Sequence, residues 1–374
     1  FQPAWYRSAL SRPSLAANGV GMTWDAVHQF VPTLVSGDAI GSHVLWIRQR
    51  LRARGCRSEI FVGIDNPSTL RDTHELQFVD RHVETEQRTL FLYHVAQASS
   101  CADFLLERRE PLALVFHNFT PPELLIHWDP DAAFELLRAQ EQLFDLVEKA
   151  QFAICDSGFN ACSLASFGNL DTSVVPLPLQ NEARPALPKP ERPIILFVGR
   201  VAPNKAVHDL ITAAALLHQN IPQAELRIVG GSTSALYDAT LTGLVEALGL
   251  DDIVTFTGWI DDHQLEREYQ QASVFCTLSD HEGFGVPIVE AMTHGLPVIA
   301  FESTAIGETV GDSGLLLKTK SPQLVATALE RVLTDDRLAD KLSEKGYRRS
   351  ASFAPEIVGK SLDRALFSPG PEVK

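Results

Sequence analysis

Residues 279–292 read Ser279-Asp-His-Glu-Gly-Phe-Gly-Val-Pro-Ile-Val-Glu-Ala-Met292. The five residues before them, Val274-Phe-Cys-Thr-Leu278, are a short apolar run of the kind that forms a buried strand. Pro287 suits a first helical turn, and Gly295 suits the position just past a helix end. The stretch therefore predicts a strand, a tight glycine turn and a helix. Gly283 and Gly285 permit a close backbone approach that leaves free N–H groups facing a ligand. The partial positive charge of the helix N-terminus favours an anion there, such as a diphosphate. Glu282 lies in the turn and Glu290 within the helix, so two carboxylates are placed to accept hydrogen bonds from different hydroxyl groups of one extended ligand.

Outward from this point, short apolar runs alternate with helical periodicity along the chain. Strands are expected near 26–30, 59–63, 90–94, 112–117, 152–155 and 173–177, then near 194–198, 226–229, 253–257, 274–278 and 298–301. Ile40, Val44, Ile47 and Leu51 recur at helical spacing between the first two strands, as do Val207, Leu210, Ile211, Ala214 and Leu217 after the first strand of the second set. Strand–helix–strand alternation implies parallel sheets flanked by helices. Between the two sets, residues 176–193 hold six prolines, which suits an extended linker. The expected fold class is α/β: two Rossmann-like, doubly wound parallel-sheet domains facing a central cleft. A loose leader occupies 1–22, with Met22 a candidate start. The first domain spans 23–178, the linker 179–193, the second domain 194–352, and a terminal segment 353–374 reads helical. Ligands of such sheets sit outside the carboxyl ends of the strands, so the cleft is the expected site.

Phe197-Val-Gly-Arg-Val-Ala-Pro-Asn-Lys205 leads from the first strand of the second domain into its first helix, with Asn204 the candidate N-cap. Arg200 and Lys205 then stand as two cations at the cleft. Negative charge grows on a departing diphosphate, and preorganised cations stabilise that charge most at the transition state. The string 279–292 resembles the Glu-x7-Glu signature of retaining GT-B glycosyltransferases, family 4 in particular. The likeness implies that Glu282 faces the donor sugar, that Glu290 holds the ribose hydroxyls, and that the amides of Gly283, Phe284 and Gly285, with Val286 beside them, contact sugar and phosphate. That family also has an Arg and a Lys in the loop where Arg200 and Lys205 stand. Ala206 departs from the glycine usual there.

Two further segments carry a weaker likeness. Gly37-Asp-Ala-Ile-Gly41 lies between the first strand and helix and resembles the family's acceptor-side loop, or is an ordinary glycine turn. Leu114-Val-Phe-His-Asn-Phe-Thr-Pro-Pro122 resembles a His-Asn-aliphatic-Thr-Pro pattern of members that build surface polysaccharides, with Phe119 a departure. It implies that His117 touches outer hydroxyls of the donor sugar and that Asn118 and Thr120 shape the acceptor side. His94, at another strand end, is a second candidate. Segment 353–374 sits where the last GT-B helix crosses back onto the first domain. On this reading His117, Glu282, Arg200 and Lys205 are the catalytic set, and Gly41, Gly199, Arg200, Lys205, Gly230, Gly283, Phe284, Gly285, Val286 and Glu290 hold the donor. Gly230 is included because Gly230-Gly231 follows a strand and lets the chain pass close to a nucleotide, although no GxGxxG follows.

Composition bounds the partners. Asp and Glu outnumber Lys and Arg by 47 to 32, which argues against general nucleic-acid binding. No apolar stretch reaches the roughly 20 residues of a membrane span. The five cysteines show no metal-ligand spacing and read as reduced thiols of a cytoplasmic protein. The acidic pairs Asp251-Asp252 and Asp261-Asp262 suit turns and caps better than metal binding. No metal ligand set and no cofactor beyond the co-substrate is expected. Arg48, Arg50, Arg52, Arg54 and Arg57 form either a solvated face or a contact with anionic lipid at the inner membrane face. The expected activity is transfer of a hexose from a nucleotide-diphosphate sugar, GDP-mannose slightly ahead of a UDP-hexose, to a saccharide, lipid-linked or small-molecule acceptor. A sugar-nucleotide epimerase or hydrolase, and a catalytically silent nucleotide-sugar binder, are the competing readings.

Overall fold

The computed structural model describes residues 24–34, 38–63, 72–83, 88–179 and 192–367. Gly37, the leader at 1–22 and nearly all of the linker lie outside them. In the first half, strands β1 (Ala26–Val31), β2 (Ile60–Val62), β3 (His74–Glu75), β4 (Thr89–Val95), β5 (Leu112–Phe116), β6 (Phe152–Cys155) and β7 (Thr172–Val174) form one sheet in the order β3-β2-β1-β4-β5-β6-β7. Its helices are α1 (Ala39–Ala53), α2 (Ser100–Leu106), α3 (Pro130–Lys149) and α4 (Gly158–Leu164). Every neighbouring strand pair is parallel. Each residue of β1 and β4 is buried, as a sheet covered on both faces requires.

The second half repeats the plan. Strands β8 (Ile194–Val198), β9 (Glu225–Val229), β10 (Val254–Gly258), β11 (Val274–Thr277), β12 (Val298–Phe301) and β13 (Leu315–Leu317) pair in the order β10-β9-β8-β11-β12-β13, again all parallel. The intervening helices are α5 (Val207–His218), α6 (Ala235–Leu248), α7 (Asp262–Gln271), α8 (Val286–Thr293), α9 (Ile306–Val310), α10 (Pro322–Thr334) and α11 (Asp336–Ser350). Both sheets reverse direction of growth beside their first strand, between β1 and β4 and between β8 and β11. Those switch points open crevices at the carboxyl ends of the strands, where ligands of such sheets bind.

The last helix, α12 (Pro355–Phe367), packs on the first half. Val358, Leu362 and Leu366 join Val27, Ile47 and Leu51 in one apolar cluster. Trp24 Nε1 donates to the Leu366 carbonyl at 2.9 Å. Asp363 receives Arg50 at 2.6 and 2.9 Å and Arg54 at 2.7 Å. Arg52 pairs with Glu59 at 2.9 Å, and Arg48 donates to the Asp72 carbonyl at 2.8 Å. The arginine run thus clamps helices and loops together, a third outcome besides the two expected. Strand β7 stops at Val174, short of the expected 177, because Pro176 has no N–H to continue the ladder.

Candidate active site

Two loops of the second half are stitched together beneath the cleft. The Asp280 N–H donates to the Asn204 carbonyl at 2.8 Å, and Asn204 Nδ2 donates to the His281 carbonyl at 3.4 Å. Asn204 is therefore spent on joining the loops and is not a helix cap. A 3₁₀ turn, Pro203–Lys205, precedes α5, and Ala206 takes the N-cap position with φ +50° and ψ +41°. This is the left-handed region, which costs an L-residue about 1–2 kcal/mol and explains why glycine is the usual occupant. Thr304 holds Glu282 from both sides, accepting from its N–H and donating to its carbonyl, each at 2.9 Å.

The two glycines of the turn have separate duties. A Cβ on Gly283 would lie 2.4 Å from the His117 carbonyl oxygen, so Gly283 is where the second half meets the backbone of the first. Ser157 Oγ donates to the Gly283 carbonyl at 2.9 Å across the same boundary. Gly285, at φ +90°, is the N-cap of α8. Pro287 lies in the first turn of that helix.

Glu290 follows within α8, where burial raises its pKa against the counteracting hydrogen bond from Tyr269 Oη at 2.7 Å and the nearby His294. Tyr269 and His294 stack with ring centroids 4.8 Å apart, and His294 Nε2 meets Glu266 at 3.0 Å. Lys205 Nζ pairs with Glu282 Oε1 at 2.7 Å, both side chains largely shielded. Arg200 is exposed at the rim.

The first half contributes a buried polar chain. His117 Nδ1 lies 2.8 Å from Asp156 Oδ2, and His117 Nε2 lies 3.0 Å from His94 Nδ1. His94 Nε2 is 3.0 Å from Gln29 Oε1, and Gln29 Nε2 donates to the Val44 carbonyl at 3.1 Å. His43, from α1, stands edge-on to both rings, with centroids 6.0 Å from His94 and 5.7 Å from His117. Burial drives the pKa values of His43 and His94 well below 6.5. Burial also lowers His281 to about 4.

These groups surround two cavities of about 820 and 1000 Å³. Both are lined by His117, Arg200, Lys205, Glu282 and Gly283, so they meet at the charged centre of the cleft. The smaller also reaches Gly199, Phe284, Gly285, Val286 and Glu290 in the second half, and His43, Trp46 and Asp156 in the first. The larger runs over Asn118 and Thr120. Gly41 and Gly230 line neither. Gly41 is buried in the first turn of α1. A Cβ on Gly230 would lie 2.0 Å from the Gly199 carbonyl oxygen, so Gly230 fits the β9 loop against the β8 loop. His94 is buried behind His117 and reaches the site only through it.

Among the described residues, His43, His94 and His117 are the group whose ligand atoms, within 4.8 Å of one another, would suit a metal ion. The 3.0 Å separation of His94 Nδ1 and His117 Nε2 is a hydrogen-bond length, while two imidazole nitrogens on one tetrahedral metal stand about 3.3 Å apart. Asp261, one of the acidic pairs, caps α7 in a capping box with Gln264.

Residues 180–349 match the family model of the glycosyl transferases of group 1. That matched stretch, under half of the chain, resembles the group 1 glycosyl transferases. The group 1 segment starts ahead of β8 and ends within α11, so it carries Arg200, Lys205, Glu282 and Glu290. Among curated relatives, the D-inositol 3-phosphate glycosyltransferase of Frankia alni is 32% identical over 50% of this chain and 48% of its own. The O-antigen chain mannosyltransferase B of Escherichia coli is 29% identical over 43% and 42%. A GDP-mannose-dependent alpha-(1-6)-phosphatidylinositol monomannoside mannosyltransferase of Mycobacterium tuberculosis is 35% identical over 39% of each chain. The chain thus spans about half the length, or less, of the curated relatives it matches.

Solved structures extend the likeness to both halves. Sucrose-phosphate synthase of Thermosynechococcus elongatus superposes with a TM-score of 0.72 at 21% identity, covering 91% of this chain and 98% of that one. HepE of Anabaena, in complex with UDP and glucose, gives 0.70 at 19% identity over 91% and 99%. The fold is GT-B.

Proposed function

We propose that this protein is a retaining glycosyltransferase that moves a hexose from a nucleotide-diphosphate sugar to a saccharide, lipid-linked or small-molecule acceptor, without a catalytic metal. The observation that carries this reading is the convergence of Arg200, Lys205, Glu282 and Glu290 on one cavity at the N-terminus of α8. The α8 N-terminus and the two cations receive the diphosphate. Glu290 accepts from the ribose hydroxyls, with Tyr269 fixing its carboxylate. Glu282 faces the sugar. Lys205, paired with Glu282 at 2.7 Å, leaves that partner for a phosphate oxygen and stabilises the charge that develops as the glycosidic bond breaks. The acceptor enters through the larger cavity over Asn118 and Thr120. Attack comes from the face the diphosphate leaves, with its departing oxygen as base, so the anomeric configuration is kept. GDP-mannose ranks slightly first as donor, on the His117 segment and the mannosyltransferase names among the relatives. A UDP-hexose is the second reading, on the UDP and glucose of the HepE complex.

The test is a thermal-shift series with GDP, UDP, ADP and dTDP, each with and without EDTA. A nucleotide at 100 times its dissociation constant stabilises by about 2.7 kcal/mol. One nucleotide raising the melting temperature, with EDTA making no difference, supports the reading. No shift with any, or a shift that EDTA abolishes, sinks it. Proton NMR of the first product formed from the matching nucleotide sugar then checks retention.

A further inference from the structure

Among the described residues, four that are not glycine have a positive φ: Asp72, Asn118, Ala206 and Thr304. Asn118 lines the larger cavity, Ala206 follows Lys205, and Thr304 meets Glu282, so three of the four belong to the cleft. Asparagine enters this region readily and alanine carries only a methyl group. Thr304 is the outlier. At φ +43° it is the one β-branched side chain of the four, the kind for which the left-handed region is least accessible. Glycine would take this backbone at no steric cost. Such strain persists only where the surroundings enforce it, and it gathers at functional sites.

What the threonine supplies and a glycine could not is its hydroxyl. Thr304 Oγ1 accepts from the Glu282 N–H and donates to the Glu282 carbonyl, each at 2.9 Å. The N–H and C=O of one residue point the same way when its backbone is extended, as at the paired positions of an antiparallel ladder. One hydroxyl that engages both therefore holds Glu282 extended, in place of a neighbouring strand. The same loop grips at two further points. Ser303 Oγ donates to the Ser279 carbonyl at 2.6 Å, and the Ala305 N–H donates to the Glu282 carbonyl at 3.4 Å. From this fixed backbone the Glu282 carboxylate reaches Lys205 at 2.7 Å, at the centre where the two cavities meet. Thr304 lines neither cavity, so whatever it does for a ligand passes through Glu282.

We propose that Thr304 is a positioning residue for the sugar site: its strained backbone is retained because its hydroxyl aims Glu282 at the donor sugar. This rests on the reading above, in which Glu282 faces that sugar.

The test is calorimetry with UDP, GDP, UDP-glucose and GDP-mannose on wild type, Thr304→Gly, Thr304→Ala, Thr304→Ser, Glu282→Gln and the double variant Thr304→Gly/Glu282→Gln. Glycine and alanine both remove the hydroxyl, and only alanine keeps the strain; serine keeps the hydroxyl. For the nucleotide sugar that wild type binds, affinity falls by about fivefold or more in Thr304→Gly and Thr304→Ala and stays within about twofold in Thr304→Ser. Affinity for the matching nucleoside diphosphate stays within about twofold throughout. Added to Glu282→Gln, Thr304→Gly costs less than about twofold more, because both changes remove one interaction. Thr304→Gly melts above Thr304→Ala. Unchanged nucleotide-sugar affinity in the variants without the hydroxyl overturns the proposal. So does an equal loss of diphosphate affinity, a loss that adds to that of Glu282→Gln, or a Thr304→Ala protein that melts above Thr304→Gly. Should Thr304→Gly fail to fold, the strain is not what the threonine endures and the proposal falls. A wild type that binds neither nucleotide sugar, or a Glu282→Gln protein that binds it as wild type does, refutes the underlying reading instead.

Discussion

Replacing His117 with alanine strips Asp156 of its partner. The two side chains are 4% and 3% exposed, and the second oxygen of Asp156 has no hydrogen bond, so the His117 contact at 2.8 Å satisfies this carboxylate. Removing one member of a buried pair leaves an uncompensated group and typically costs about 3–5 kcal/mol. His117→Ala also opens a cavity, and Asp156→Ala a smaller one; those costs are separate from the pair itself. A double-mutant cycle isolates the shared part, since the cavity terms largely cancel. We expect each single variant to lose at least about 3 kcal/mol and the double variant to lose clearly less than their sum, with a coupling of at least about 2 kcal/mol. Urea unfolding at neutral pH, followed by tryptophan fluorescence, reads the first half through Trp24 and Trp46, both partly buried against its core. Because two halves need not melt together, the transition reported by those tryptophans is the one to fit. Additive losses, with coupling under about 0.5 kcal/mol, would refute the view that the pair, rather than simple packing, holds this wall of the cleft.

Three other outcomes follow from the geometry. Glu290→Gln keeps the hydrogen bond from Tyr269 and removes a charge that burial disfavours, so the melting temperature should hold or rise while nucleoside-diphosphate affinity falls about tenfold; calorimetry showing unchanged affinity would remove Glu290 from the ribose site. Gly230→Ala drives a methyl group against the Gly199 carbonyl at a backbone φ of +139°, and thermal denaturation should show a loss of about 3 kcal/mol; a loss below about 1 kcal/mol would mean that the β8 loop yields. Burial lowers His28 and His281 from 6.5 to about 4, so the unfolded chain takes up protons that the fold refuses. The stability they support is complete above pH 6.5 and drains as pH falls to about 4, by up to about 3 kcal/mol each, which urea midpoints across that range would detect.

The alternation of strands and helices was legible because mostly apolar, fully buried strands such as β1, β4 and β5 admit few other readings. Strands β3 and β13 were not, for a local reason. His74–Glu75 is a two-residue edge pairing with no pattern to detect, and Leu315–Leu317 is a short apolar run that fits a helix as well as a strand. On the site, the loops after β8 and β11 carry dense local signals, and most of the residues singled out there line the cleft. Gly283 and Gly230 show where such reading stops. A glycine states that something comes close, but its position in the chain does not say whether that is a ligand or another backbone, as it is in both cases here. Asn204 looked like a cap because an alanine at 206 hides the left-handed turn that the usual glycine would announce. His43, Asp156, Tyr269 and His294 are single residues without a motif, and only the folded chain brings them to the cavity.

The clasp of α12 on the first half also governs how this molecule can be made. Chain order places Val358, Leu362 and Leu366 some three hundred residues after the Val27 and Ile47 they cover. A ribosome delivers chain from the N-terminus, so the first sheet must wait, part of one apolar face bare beside α1 and Asp363 not yet there for Arg50 and Arg54, until α12 emerges. The second half, by contrast, is contiguous and closes on itself. Synthesis order and completion order are therefore inverted: the half made first is finished last. A chain cut short before residue 355 would leave its first half the sticky partner.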